Sequence, residues 1–140
     1  MKIKDLNDQA ALTTCIWLEA RGEDFIGKLA VALVVRNRTK DPRWPKDYKG
    51  VIFQPMQFSC FNDWPRDCNL DEIQVAVTKS KFTNPNWKEC HAAAFCVLNH
   101  WIYRDITGGA NHYHTHAVHP YWSDGKYPCF EHGGHKFFRL

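Results

Sequence analysis

Two carboxylates four residues apart, Glu19 and Glu23, are the side chains in this sequence best placed to do chemistry. They lie in Cys15-Ile16-Trp17-Leu18-Glu19-Ala20-Arg21-Gly22-Glu23, where an amphipathic helix should end. At about 100° per residue, Leu12, Ile16 and Glu19 fall on one narrow arc, with Cys15 beside them and Trp17 nearly opposite. Glu19 is therefore expected on the core-facing side of its helix. Burial penalises the charge, so such a glutamate either finds a partner or keeps its proton to higher pH. A protonated carboxylic acid is what general acid catalysis on a glycosidic bond uses. The bland alternative is a salt bridge to Arg21 or another cation that serves structure alone. Glu23 would share the face of Glu19 if the helix continued. A carboxylate pair can run retaining chemistry at about 5–5.5 Å and inverting chemistry at about 6.5–9.5 Å. Gly22 interrupts the helix, and leaves Glu23 an equally good reading as an acid at the positive end of the next helix, with Asp24 as its cap.

The histidines compete with Glu19 for a chemical role. His112, His114 and His116 share one face if their segment is extended, and His119, His132 and His135 follow closely. Imidazoles at alternate strand positions point the same way and could build a zinc site. Neither a helical H-E-x-x-H pattern nor a paired C-x-x-C accompanies them. The spacing thus favours a polar strand or hydrogen bonds to sugar hydroxyls, with His114 as a substrate-binding residue; no metal and no cofactor is expected.

The elements that must position these groups follow from periodicity. A first helix is predicted from about Leu6 to Ala20, with Asp5 as N-cap and Gly22 as its stop. The segment 25–38 is apolar nearly all round (Ile26, Leu29, Ala30, Leu33 and Val34 on one side, Val31, Ala32 and Val35 on the others), which marks a buried central helix. Arg36 and Arg38 close it, where cations suit the helix dipole. Thr39 to Pro45 is a proline-punctuated loop, and Val51-Ile52-Phe53 is a short apolar run. Cys60 to Leu70 reads as an exposed loop and Asp71 to Ser80 as a modest helix. Asn84-Pro85 is a strong helix start. After it Trp87, His91, Ala94, Phe95, Leu98 and Trp101 recur at helical spacing, making His91 a satisfied core histidine. Beyond Ile102 the chain turns at Thr107-Gly108-Gly109-Ala110, alternates over His112 to His119, and ends with Gly133-Gly134 before Phe137-Phe138. The class expected is mainly α (α+β), one catalytic domain over 1–140 with an irregular or extended C-terminal part.

Composition bounds the partners. The chain has 140 residues, enough for one real core. With six Trp, five Tyr and nine Phe, a chain this small is expected to spend several rings in a groove, Trp44, Phe58 and Trp64 among the candidates, and flat ring faces suit sugars and bases equally well. A formal charge of +3, not gathered into a run, suits an anionic polymer and argues against nucleic acid. No stretch reaches transmembrane length, so no stable membrane association is expected. No secretory signal follows Met1, and synthesis in a bacterial cytoplasm is expected. Among the six cysteines, Cys60 and Cys68 could close a loop; Cys15, Cys90 and Cys96 read as small buried hydrophobes.

Several of these segments also carry a resemblance. Trp17-Leu18-Glu19-Ala20-Arg21-Gly22-Glu23, Gly27-Lys28-Leu29-Ala30-Val31-Ala32 and Val35-Arg36-Asn37-Arg38 resemble the opening of the spore-cortex-lytic (SleB-like) cell-wall hydrolase family. Gln57-Phe58-Ser59 resembles its middle motif. Thr107 to Ala110 through Tyr113, Pro120 with Trp122, and Gly134-His135 with Phe137 resemble its closing motifs, all in order from about residue 8 to the C-terminus. The resemblance implies a lysozyme-like fold related to lytic transglycosylases. It implies cleavage of peptidoglycan between N-acetylmuramic acid and N-acetylglucosamine, with Glu19 as catalytic acid/base and Gln57, Phe58, Ser59 and Tyr113 lining the groove. The family has aromatic or apolar residues where this chain has Asn111 and His112, and the Cys60–Cys68 loop is this chain's own. A catalytic domain of this kind with no export signal resembles a bacteriophage lysis enzyme, a monomer acting on glycan strands after release. The expected reaction is a lytic transglycosylation. The alternatives are a muramidase using Glu19 with Glu23, a zinc amidase built on the C-terminal histidines, and a non-catalytic wall-binding module.

Overall fold

The computed structural model describes residues 5–54 and 84–140. Gln57, Phe58, Ser59, Trp64, the Cys60–Cys68 segment and the helix expected over Asp71–Ser80 lie outside them. The described elements are helices α1 (Asp8–Ala20), α2 (Phe25–Thr39), α3 (Tyr48–Ile52) and α4 (Pro85–Leu98), then strands β1 (His112–Thr115), β2 (Phe130–His132) and β3 (His135–Phe138). A single 3-10 turn, Tyr121–Ser123, lies between β1 and β2. The α+β class expected from the sequence is the class observed.

The central helix is where its composition puts it. Every residue of α2 from Gly27 to Arg36 is buried. Asp24 caps it, accepting from the Gly27 amide at 2.9 Å. Helices α1, α3 and α4 pack around it, and β1 touches its far end. Helix α1 begins later than predicted. Its N-cap is Asn7 rather than Asp5, with Asn7 Oδ1 accepting from the Ala10 amide at 2.8 Å. Asn caps as well as Asp, and starting there puts Asp8 in the first turn, facing the positive end of the dipole. Nor is α1 simply amphipathic: Ala11 to Trp17 are all buried, and Trp17 meets Trp87 of α4 edge-on, 5.5 Å between centroids.

Helix α4 starts as predicted, Asn84 capping it and Pro85 in its first turn. Its buried face is Trp87, Cys90, Ala93, Ala94 and Val97, so the predicted stripe is rotated and His91 is exposed rather than a core histidine. Small residues at 90, 93 and 94 let α4 approach α1 and α2 closely, and bulkier Phe95 is pushed outward, where it packs edge-on against exposed Trp101. Cys15 and Cys90 are buried free thiols, as read from the sequence, and Cys96 is half-buried.

The three strands form one antiparallel sheet in the order β1-β3-β2. The β2–β3 connection is Gly133-Gly134, and Gly133 takes φ +55°, a left-handed conformation that glycine adopts without strain. Strand alternation gives the sheet two unlike faces. His112, His114 and Phe138 lie on the outer one, where Trp122 covers them. His114 stacks on Phe138, and His112 sits between Trp122 and Trp44.

Two predictions follow from this packing. Lys28 is fully buried on α2, its ammonium 2.6 Å from Glu89 and 3.4 Å from Asn86 Oδ1, both on α4. Glu89→Ala strands that buried charge and should cost about 2–3 kcal/mol in urea unfolding, whereas Lys28→Met should stay within about 1 kcal/mol of the parent. The second concerns acid. Burial, with Arg38 and Arg43 close by, lowers the His112 pKa from 6.5 to about 4. The unfolded chain then binds more protons at this site, so its contribution is intact above about 6.5 and is lost as pH falls towards about 4. His112→Phe should flatten the fall in melting temperature across that window. His135, lowered mainly by burial, would supply the slope that remains. An unchanged profile would show that His112 does not titrate there.

Candidate active site

The inner sheet face meets the α1–α2 turn residue by residue. The end of α2 sets the strand's place. Asn37 Nδ2 donates to the Ala110 carbonyl at 2.9 Å, and Arg38 Nε donates to the Asn111 carbonyl at 2.7 Å. The Thr107-Gly108-Gly109-Ala110 turn is built on Asp105, which accepts from the Thr107 amide and hydroxyl, from Gly109 and from Asn37. Burial pushes the Asp105 carboxyl up, but the hydrogen bonds from Thr107 and Asn37 outweigh it and leave the pKa below the usual value. Asn111 then clamps the C-terminus, exchanging hydrogen bonds with Leu140 at 2.9 Å in both directions. Anchored in this way at its start and paired along its length with β3, β1 turns Tyr113 inward.

Tyr113 donates its hydroxyl proton to Glu19 Oε2 at 3.0 Å. Glu19 is half-buried, and its Oε1 is shielded from solvent with no hydrogen-bond partner among the described residues. The salt bridge to Arg21 weighed from the sequence is not the arrangement found: the Arg21 guanidinium lies over the Trp17 ring, 5.7 Å from its centroid. Glu19 therefore has one oxygen fixed by a phenol and the other shielded from solvent with no hydrogen-bond partner among the described residues.

Glu23 faces the hairpin. Its carboxylate accepts from the Gly134 amide at 3.1 and 3.3 Å, and His135 Nδ1 approaches Oε1 to 3.1 Å. That last approach is close in distance but too bent for a straight hydrogen bond. The neighbouring Asp24 pairs with His132 at 2.8 Å. The Gly27 amide, then His132, hold the Asp24 carboxyl below its usual range. Consecutive acids of the turn thus meet the two histidines flanking Gly133-Gly134. Sequence reading weighed these histidines as zinc ligands, sugar-binding groups or part of a polar strand, and not as partners of the turn's acids. The signal was there, because a two-glycine turn places His132 opposite His135 on one face.

The other candidates separate. His114 does not reach Glu19; it is buried on the outer face, with Nδ1 bonded to its neighbour's carbonyl, Thr115 O, at 2.7 Å. Trp44 packs under Arg38 and Arg43 beside His112. Strand β1 ends at Thr115, so His116 leaves the face shared by His112 and His114, and exposed His119 lies 3.5 Å from Asp124. No group of three or more His, Cys, Asp or Glu suited to a metal occurs among the described residues. A cavity of about 460 Å³, lined by Asn37, Lys40, Asp105, Gly109 and Arg139 among others, lies at the far end of α2 and includes neither Glu19 nor Tyr113.

The spore cortex-lytic enzyme of Bacillus cereus is 37% identical over 107 residues, 76% of this chain and 34% of that protein. That of Halalkalibacterium halodurans is 40% identical over 57 residues, 41% of this chain and 17% of that protein. The chain thus spans about a third or less of the length of these relatives. Among solved structures, the catalytic domain of Bacillus cereus SleB superimposes with a TM-score of 0.69 at 23% identity, covering 94% of this chain and 89% of that one, which shows a shared fold. The catalytic domain of the germination-specific lytic transglycosylase SleB from Bacillus anthracis gives a TM-score of 0.68 at 26% identity, covering 96% of each chain. The Cell Wall Hydrolase family model matches residues 22–138, and this protein belongs to that family.

Proposed function

We propose that this protein cleaves peptidoglycan glycan strands between N-acetylmuramic acid and N-acetylglucosamine as a lytic transglycosylase, with Glu19 as acid/base. The observation that carries the reading is the state of Glu19: Oε2 oriented by the Tyr113 hydroxyl and Oε1 shielded from water without a partner among the described residues. A carboxyl group oriented by a phenol and held out of bulk water suits proton transfer to a glycosidic oxygen. Family membership and the lytic transglycosylase named among its structural neighbours supply the substrate class and reaction type.

In the proposed reaction the protonated Glu19 donates to the bridging oxygen. The bond from that oxygen to muramic acid C1 breaks, and oxocarbenium character grows on the muramic ring. The N-acetylglucosamine departs with a free 4-hydroxyl. The muramic acid C6 hydroxyl then attacks C1, and the Glu19 carboxylate takes its proton. The products are a 1,6-anhydro end and a regenerated acid, with no water consumed. Glu23 is a poor second acid for a hydrolytic route, because its carboxylate is already engaged by the Gly134 amide and His135. Gln57 and Ser59 would hold sugar amide and hydroxyl groups, and Phe58 a ring face. The substrate sets the place of action at the wall, reached after release from the cytoplasm, and cell lysis is the outcome expected.

Glu19→Gln should keep its melting temperature and still bind purified wall, yet lose activity by about a thousandfold or more. Near-parental lysis by that variant would remove Glu19 from the chemistry. Mass spectrometry of wall digested by the parent protein should find muropeptides with anhydro ends; reducing muramic acid ends alone would establish hydrolysis instead.

A further inference from the structure

Glu23 has a more elaborate setting than a helix-terminal acid needs. Asp24 already caps α2, so the Glu23 carboxylate turns away from that helix and towards the hairpin. Three glycines close around it. A Cβ at Gly27 would fall 2.8 Å from Glu23 Cβ, one at Gly134 would fall 2.9 Å from Oε1, and one at Gly133 would collide with Oε2. The Glu23 side chain is 18% exposed and that of His135 only 5%. The His135 ring stands edge-on to Tyr113, 5.3 Å between centroids and 80° between planes. Tyr113 in turn donates to Glu19. The contacts run unbroken from Glu23 through His135 and Tyr113 to the proposed acid.

We propose that Glu23 and His135 form a positioning pair that sets the Tyr113 ring, and through its hydroxyl the Glu19 carboxyl, in the orientation needed for proton transfer to the substrate. The inference rests on Glu19 being the acid/base. Glu23 accepts and cannot donate as a carboxylate, so the His135 Nδ1 that stands 3.1 Å from it is favoured to carry the ring's proton, and this bent, electrostatic contact together with burial holds the ring in place. The ring edge then limits where the Tyr113 phenol can stand. Neither residue touches substrate. The pair differs from Asp24–His132, its neighbour on the same hairpin, which is more exposed (64% and 30% for the two side chains) and has no contact with Tyr113 among those described. That second pair pins the hairpin without reaching the acid, and so serves as the control.

The test measures initial rates of anhydro-muropeptide release from purified glycan strands, against strand concentration, with melting temperatures alongside. Tyr113→Phe should lower kcat about 10- to 100-fold, since a modest misplacement of an acid costs that much. His135→Phe, which keeps ring volume without a donor, and Glu23→Gln, which keeps an acceptor for Gly134 without the charge, should each lower kcat by a similar factor. KM should stay within about twofold for both, because no substrate contact is lost. His135→Asn, whose amide can stand in for Nδ1, should recover at least about half of the lost activity on a logarithmic scale. The double variant Tyr113→Phe with His135→Phe should be no worse than Tyr113→Phe alone, because coupled residues are not additive. His132→Asn should retain the parental kcat. Parental kcat in His135→Phe and Glu23→Gln, or additive losses in the double variant, would overturn the positioning pair while leaving Glu19 in place. Should His135→Phe lose its fold, Glu23→Gln and His135→Asn decide the matter. If Glu19→Gln itself retains activity, the acid assignment fails, and that result is separate.

Discussion

A helix apolar on every side has to be enclosed, and the rest of this protein is arranged to enclose α2. Helices α1, α3 and α4 cover its length, and their small residues allow close approach. Burying a nearly complete turn of Leu, Val and Ala side chains removes enough apolar surface from water to order the short elements around it. The few polar groups α2 carries inward are then obliged to find partners. Lys28 reaches Glu89 at one end, and Asn37 and Arg38 reach the carbonyls of Ala110 and Asn111 at the other. Those last two bonds attach the sheet to the helical core at a defined register.

With that attachment made, period-two alternation divides the sheet's work. One side meets Glu19, Glu23 and Asp24 through Tyr113, His135 and His132. The other is an aromatic layer of His112, His114, Trp122 and Phe138, closed over by Trp44. The histidines that looked like one cluster in the sequence are therefore divided among separate jobs. Some face carboxylates of the helix turn, and others pack among the rings of the outer face, where burial lowers the pKa of His112.

The glycines of the closing hairpin act together with an acid far away in sequence. Gly133 and Gly134 make the turn, and the space left by their missing side chains is where the Glu23 carboxylate sits. A carboxylate held by a backbone amide and facing a buried imidazole is preorganised, which suits a group that orients others better than one that activates water. Glu19 and Glu23 do not share a helix face, since the helix stops between them, and the two side chains meet different residues of the sheet.

Much of this was legible in the chain itself. Periodicity located α1, α2 and α4, the Asp24 and Asn84 caps were readable from residue type, and the isolated Glu19 on a core-facing arc stood out because burial and charge conflict. Local rules succeed there because helix formation and capping depend on neighbours within a turn. They failed where neighbours come from elsewhere: Asn7 displaced Asp5 as cap, and Ala93 and Cys90 rather than His91 met the core, because the fit against α1 and α2 chose the face. The partners of Glu19 and Glu23 lie 94 and 111 residues away for Tyr113 and Gly134, and no local pattern contains such separations. Sequence alone determined which side chains could do acid–base chemistry and which helix had to be buried. Only the tertiary structure decided which acid is oriented by a tyrosine and which is seated among glycines, because that choice depends on how a sheet docks against a helix turn.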